Sequence, residues 1–410
     1  MACKAVAEAL LPLAAVLVVG FLPPATFAKS PHKHGFRATL TRVHQYPGNY
    51  SAAARRDARR LASLSSAAAG SARTHTSKSS FRGLLQALVE NGAGAYHMSL
   101  SLGTPPLTFP AILDTGSDLT WTQCATCSAC FAQPTPLYDP AGSSTFWKLP
   151  CGSPLCRALP RAFRGCNATG CVYDYRYTVG FTAGYLAADT LGVGEDTSSF
   201  TNAAFGCSTA NGGDMGGASG IVGLGRGALS LVSQLGVRRF SYCLRSDADA
   251  GASPILFGSL ANVTGSEAQS TPLVTNPAAP GSPYYYVNLT GVTVGSADLP
   301  VAGDTRFLSQ MAGLTSVSGA RFDFDLCFAV GAMEVPVPRL VLRFEGGAVY
   351  TVPRTSYFDA VDERGDVACL LVLPTRGVSV IGNVMQMDLH VLYDLDGRTF
   401  SFATADCASL

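Results

Sequence analysis

Two apolar residues run into an acidic one in Ala111-Ile112-Leu113-Asp114-Thr115-Gly116, the pattern of a strand that stops at a tight loop and holds a carboxylate at its tip. The rest of the chain follows the same grammar. Strict alternation in Tyr96-His-Met-Ser-Leu-Ser-Leu102 and in the stretch from Tyr284 to Val294 predicts half-buried strands. With 43 Gly and 24 Pro and few stretches of helical period, an all-β fold with many turns is expected. A length of 410 residues accommodates two domains of ordinary size and processed segments besides.

The first residues read as a leader. Lys4 precedes an apolar run from Leu10 to Leu22, and Thr26-Phe27-Ala28 places small residues where a signal peptidase cuts, so 1–28 is expected to be a secretory signal peptide. Residues 29–91 form a basic segment: from Lys29 to Glu90, eleven Lys and Arg face two acidic residues, whereas 91–410 carries seventeen basic against twenty-five acidic. A basic leader on an acidic body predicts a cover held electrostatically and later removed. Within it, Gly35 to His44 contains one short strand, and the stretch from Ala52 to Ser66 a helix. No later apolar run is long enough to span a bilayer, so neither a membrane span nor a nucleic-acid partner is expected, and the destination is the apoplast or, on the same route, the vacuole.

Twelve cysteines remain once Cys3 leaves with the signal: Cys124, Cys127, Cys130, Cys151, Cys156, Cys166, Cys171, Cys207, Cys243, Cys327, Cys369 and Cys407. An even number on a secretory route predicts six disulfides, with the pairing left open. The spacing of Cys124, Cys127 and Cys130 also fits a metal site, but the oxidising route and the lack of a nearby His favour disulfides, so no metal or other cofactor is expected. Asn167, Asn262 and Asn288 begin glycosylation sequons that suit the same route. The glycines of Gly223-Leu-Gly-Arg-Gly227 have no Lys-Ser or Lys-Thr after them and no strand-helix alternation around them, which argues against a nucleotide loop. His97 and His390 are the only histidines beyond the leader, and neither has a nucleophile motif for company.

The span from Cys124 to Cys171 reads as a disulfide-pinned insertion. Further strands are predicted at Tyr173–Leu191, Ala203–Cys207, Phe240–Cys243, Ser253–Gly258, Leu340–Phe344, Val349–Val352, Val367–Leu373, Val378–Ile381, His390–Asp394 and Thr399–Ala403, with one short helix at Ser230–Leu235. Two β lobes follow, 92–247 and 248–410, joined near Asp247 to Ala252.

Asp114-Thr-Gly-Ser-Asp-Leu-Thr-Trp121, Ile221-Val-Gly-Leu-Gly225, and Val380-Ile-Gly-Asn383 followed by Val391-Leu-Tyr-Asp394 together resemble the pepsin-like aspartic proteases. The cysteine-rich insertion, Phe240-Ser-Tyr-Cys243 and the closing Ala405-Asp-Cys407 narrow the resemblance to the plant nepenthesin-like branch. The resemblance implies a bilobal pepsin-like fold in which each lobe supplies one Asp, and a protein or peptide substrate in the cleft between lobes. It implies Asp114 as a catalytic residue, Thr115, Gly116 and Ser117 as its supporting loop, and Ile221, Val222 and Gly223 as the strand crossing behind it. It further implies Tyr177 as the flap tyrosine over substrate and Trp121 as the indole that steadies it, the chain's own pro-segment as a second cleft partner, and a monomer. The flap departs from the family: Tyr177-Thr-Val-Gly-Phe181 lacks the usual Gly and polar residues after the Tyr.

The larger departure is between Val294 and Cys327, where the family carries its second Asp-(Ser/Thr)-Gly loop and this chain carries none, so the C-terminal lobe is expected to be incomplete. Asp304-Thr305 follows Gly303 and precedes Arg306, which gives it neither the apolar strand nor the glycine of such a loop. Asp323 and Asp325 stand in what reads as an ordinary strand before Cys327. The expectation is an aspartic endopeptidase by descent whose present form is inactive or impaired, as omission of an internal coding segment would leave it. The other reading is a secreted non-catalytic binding or inhibitor protein on the same scaffold, like the xylanase inhibitors of plants.

Overall fold

A computed structural model describes residues 35–42, 95–177, 180–194, 198–213, 215–246, 251–263, 267–277, 279, 281–299, 315–331, 335–362, 364–373 and 379–410. The expected signal peptide, most of the basic segment and Asp304 lie outside the described residues, as does the side chain of Tyr177.

Strands dominate, as the alternation predicts. A 15-stranded sheet carries the Asp114 strand near its middle, and two four-stranded sheets are built from 289–299 with 340–352 and from 315–329 with 358–370. Tyr96–Leu102 shows why this sequence makes a strand: Tyr96, Met98, Leu100 and Leu102 are buried while His97, Ser99 and Ser101 face outward, the two-residue period of a pleated surface. The two α-helices among the described residues are short, Pro154–Ala158 and Leu231–Gln234, and each starts at a serine whose hydroxyl accepts an N–H of the first turn, from Ser153 and Ser230 respectively.

The strand expected in the basic segment is present as Phe36–Arg42, and its place is inside the large sheet. On one side it pairs antiparallel with Ser253–Phe257, and on the other with Tyr96–Leu102. Phe36, Ala38 and Leu40 join the main core, where Phe36 stacks on Phe257 at 4.6 Å. Further along the same sheet, Arg239–Cys243 pairs with Leu389–Asp394, so a continuous hydrogen-bonded path runs from the Asp114 strand to the end of the chain.

All twelve cysteines form disulfides: Cys124–Cys207, Cys127–Cys130, Cys151–Cys166, Cys156–Cys171, Cys243–Cys407 and Cys327–Cys369. Four of the six involve the Cys124–Cys171 insertion, where they do the work that a packed sheet does elsewhere.

Three expectations need correction. Ser379, Val380 and Ile381 belong to no strand, and Val380 is 44% exposed: an apolar run forms a strand only where a neighbouring edge offers hydrogen bonds, and none among the described residues pairs with it. Asp323 is not in a strand but ends the turn Ala320–Phe322 in the left-handed region at φ 60°. The predicted strand from Tyr284 is regular only over Leu289–Val294, because Tyr284 and Tyr285 leave the sheet to pack elsewhere.

Candidate active site

Asp114 is the last residue of the strand Leu107–Asp114. Gly220–Gly223 runs parallel beside it, with Ile221 opposite Ile112, Val222 opposite Leu113 and Gly223 opposite Asp114, which is the crossing arrangement expected for these three residues. The other edge of Gly220–Gly223 takes Trp121–Gln123. The chain therefore leaves Asp114, turns through Thr115, Gly116 and Ser117, and returns at Trp121 on the far side of the crossing strand.

The loop holds the carboxylate with its own donors. Gly116 N–H donates to Asp114 Oδ1 at 2.9 Å, and the Ser117 hydroxyl donates to Oδ2 at 2.6 Å. Leu224 N–H bonds the Asp114 carbonyl at 2.8 Å, and Gly225 N–H bonds that of Ser117 at 2.8 Å, which fixes the loop to the segment that crosses it. Donors aimed at both oxygens of a carboxylate fix its orientation. Trp121 is fully buried beneath the loop with Leu119, Tyr173 and Ile221, and meets the edge of Phe131 at 6.4 Å.

Three residues that the sequence did not single out stand at this site. Asp118 places its carboxylate against the backbone of Gly225 and Gly227 and accepts Gly227 N–H at 2.7 Å. Burial pushes that carboxyl above its ordinary range, the Gly227 bond opposes the rise, and the charge of Asp114 adds to it. Tyr175 is half-buried near both carboxylates: burial raises its hydroxyl, with Asp118, Tyr284 and Asp114 adding in turn. Tyr285 donates to the Leu224 carbonyl at 2.7 Å and lies 4.6 Å from Tyr393, so it ties the Asp114 loop to the strand Leu389–Asp394. Tyr177, two residues beyond Tyr175, closes the same strand opposite Gly180. A tyrosine in every second position was the one signal for Tyr175; Asp118 and Tyr285 gave none.

The structure brings Asp114 together with its loop, crossing strand and indole. It does not bring Asp323, Asp325 or Val380–Gly382 into that constellation by any described contact. Asp189 is the one fully buried carboxylate among the described residues, and it is committed to Tyr138, Thr145 and Thr190 N–H away from the loop. Among the described residues no group of His, Cys, Asp and Glu is arranged to hold a metal ion. No helix among them is long and apolar enough to cross a membrane.

Comparison with known proteins places this geometry. The model for the xylanase inhibitor N-terminal domain matches residues 96–259, and that for the C-terminal domain matches 304–404. The chain is 37% identical over 356 residues to aspartic proteinase nepenthesin-1 of Nepenthes gracilis, covering 78% of this chain and 79% of that protein. It is 32% identical over 383 residues to aspartyl protease 37 of Oryza sativa subsp. japonica, covering 77% and 81%. Among solved structures, conglutin gamma, a basic 7S globulin from lupine seeds, superposes with a TM-score of 0.60 at 18% identity, covering 77% of this chain and 93% of that one, and supports the fold. The chain belongs to the pepsin-like aspartic proteases, in their nepenthesin-like plant branch.

Proposed function

We propose that this chain is an aspartic endopeptidase by descent which, in the form described, hydrolyses peptides weakly or not at all. One observation carries the reading: Asp114 heads the single Asp-(Ser/Thr)-Gly of the sequence. The reaction needs two adjoining carboxyl groups sharing a proton. The ionised one takes a proton from water, and the protonated one polarises the scissile carbonyl and later helps protonate the leaving nitrogen. Losing the acid half of such a pair costs roughly 100-fold to 10,000-fold in rate. Asp118 does not replace it, because its carboxylate is occupied by Gly227 N–H and walled by the Gly225 and Gly227 backbone.

Two further observations support an internal loss. Val380–Gly382, the apolar-apolar-Gly run that would cross the second loop, has no strand partner among the described residues. The alignment with nepenthesin-1 is 356 residues long, while 78% of 410 is about 320, so about 36 aligned positions have no residue from this chain. On this reading the protein is a secreted monomer with a peptide-binding cleft, made with a removable basic pro-segment and glycosylated at Asn167, Asn262 or Asn288. A second reading, a non-catalytic binding or inhibitor protein, is favoured by the matching models, which describe xylanase inhibitors.

An acid-pH protein digestion assay tests the first reading, with the 410-residue form and its Asp114→Asn variant side by side. Equal, negligible cleavage by both is expected. Pepstatin-sensitive cleavage that Asp114→Asn abolishes would overturn it. A xylanase inhibition assay on the same preparation addresses the second, and reading the transcript across Pro300 to Cys327 locates the origin of the shortfall.

A further inference from the structure

Arg226, Arg238 and Arg398 line one depression of about 120 Å³, together with Leu273 and Leu395. The three arginines come from separate parts of the chain. Arg226 follows the strand that crosses behind Asp114, Arg238 precedes the strand Arg239–Cys243, and Arg398 closes the turn between the last two strands in the left-handed region at φ 51°. Each is held by its backbone: Arg226 N–H bonds the Pro283 carbonyl at 3.1 Å, Leu395 N–H bonds that of Arg238 at 2.8 Å, and Leu273 N–H bonds that of Arg398 at 2.8 Å. The frame that presents the guanidinium groups is therefore fixed by three backbone hydrogen bonds, one at each arginine.

Their charge is under-compensated. Arg238 pairs with Asp396 at 3.0 Å. The neighbouring Asp394 pairs with Arg239 at 3.2 Å and accepts the N–H groups of Asp396 and Gly397. Arg226 spends one donor on the Val274 carbonyl at 3.0 Å, and among the described residues neither it nor Arg398 has a carboxylate within ion-pair distance. Three cations against one anion leave a local charge of about two positive units, and a guanidinium has five donors, most of them unused here. The volume is that of about four water molecules in the liquid. A compact dianion with acceptors on every side meets both requirements, whereas a planar carboxylate supplies half the charge and acceptors in one plane.

We propose that this depression binds a tetrahedral oxyanion, a phosphate or sulfate group. Bound there, the anion would bridge the segment behind Asp114 to the turn at Asp394–Thr399, and so brace the loop at Arg226 against the last hairpin. The proposal stands on charge and shape alone and is independent of whether the protein cleaves peptides.

Titration calorimetry of the full chain with inorganic phosphate, and separately with heparin, tests it at fixed ionic strength set with chloride. Saturable binding of at least one probe is expected, weakened about tenfold or more by Arg398→Gln and by Arg238→Gln. It should be strengthened by Asp396→Asn, which removes the competing carboxylate, and unchanged by Arg161→Gln, a surface arginine outside the depression. Saturation by phosphate assigns the site to the free ion, and saturation by heparin alone assigns it to a sulfate group carried on a larger chain. Failure of both probes to saturate, or equal losses from Arg398→Gln and Arg161→Gln, would overturn the proposal. Asp396→Asn leaves every arginine in place, so its gain in affinity stays readable if an arginine variant folds poorly.

Discussion

Gly223 stands in register with Asp114 across a parallel pair of strands, and a Cβ at Gly223 would lie 2.4 Å from the backbone of Asp118. The loop that presents the carboxylate and the strand that crosses behind it thus meet backbone to backbone at Gly223, and backbone cannot move aside as a flexible side chain can. Gly223→Ala should therefore destabilise the protein by about 1–3 kcal/mol, as overpacking does, measured as a fall in the urea midpoint. An unchanged midpoint would mean that the loop has room the geometry denies it.

The Tyr285 hydroxyl is one hydrogen-bonded link between the segment that crosses behind Asp114 and the later strands, through the carbonyls of Leu224 and Gly225. Tyr285→Phe keeps the ring against Tyr393 and removes only that link. A loss of about 1–2 kcal/mol is expected, with faster amide exchange at Leu224 and Gly225 by mass spectrometry. Slower or unaltered exchange there would assign the tether to the ring instead.

Leu40 is fully buried between two strands that do not pair with each other, although it lies in the basic leader. Leu40→Ala should cost about 2–5 kcal/mol, while the exposed neighbour change Thr41→Ala stays within about 0.5 kcal/mol. Equal, small effects in chemical denaturation would show that the leader strand is peripheral to the fold.

Burial holds the Asp118 carboxyl above its ordinary range, the Gly227 N–H lowers it, and Asp114 raises it again. A raised acid keeps its proton more tightly in the folded chain than in the unfolded one. Stability from this group is therefore present below the unfolded value of 3.8 and is lost as pH rises through the folded value. Asp118→Asn keeps an acceptor for Gly227 N–H and removes the titration. Thermal unfolding should show the variant melting above the parent at pH 7, with the difference closing toward pH 3. A constant offset across that range would locate the effect elsewhere.

Sequence-local features are legible in the chain itself. Asp114 with its loop, the Ile221-Val222-Gly223 crossing strand, the alternation at Tyr96–Leu102, the short helix at Ser230–Leu235 and the even set of cysteines depend on short-range periodicity, turn chemistry or a recognisable motif. The tertiary structure decided which cysteines meet, that Phe36–Arg42 is inserted between Tyr96–Leu102 and Ser253–Phe257, and that Tyr175, Asp118 and Tyr285 surround the Asp114 loop. It also drew Arg398 to one depression with Arg226 and Arg238, which stand more than 150 residues earlier in the chain. Val380–Gly382 marks the boundary between the two kinds of information. Its apolar residues announce a strand, but a strand exists only where another edge accepts its hydrogen bonds, and no period within a sequence specifies which edge that is.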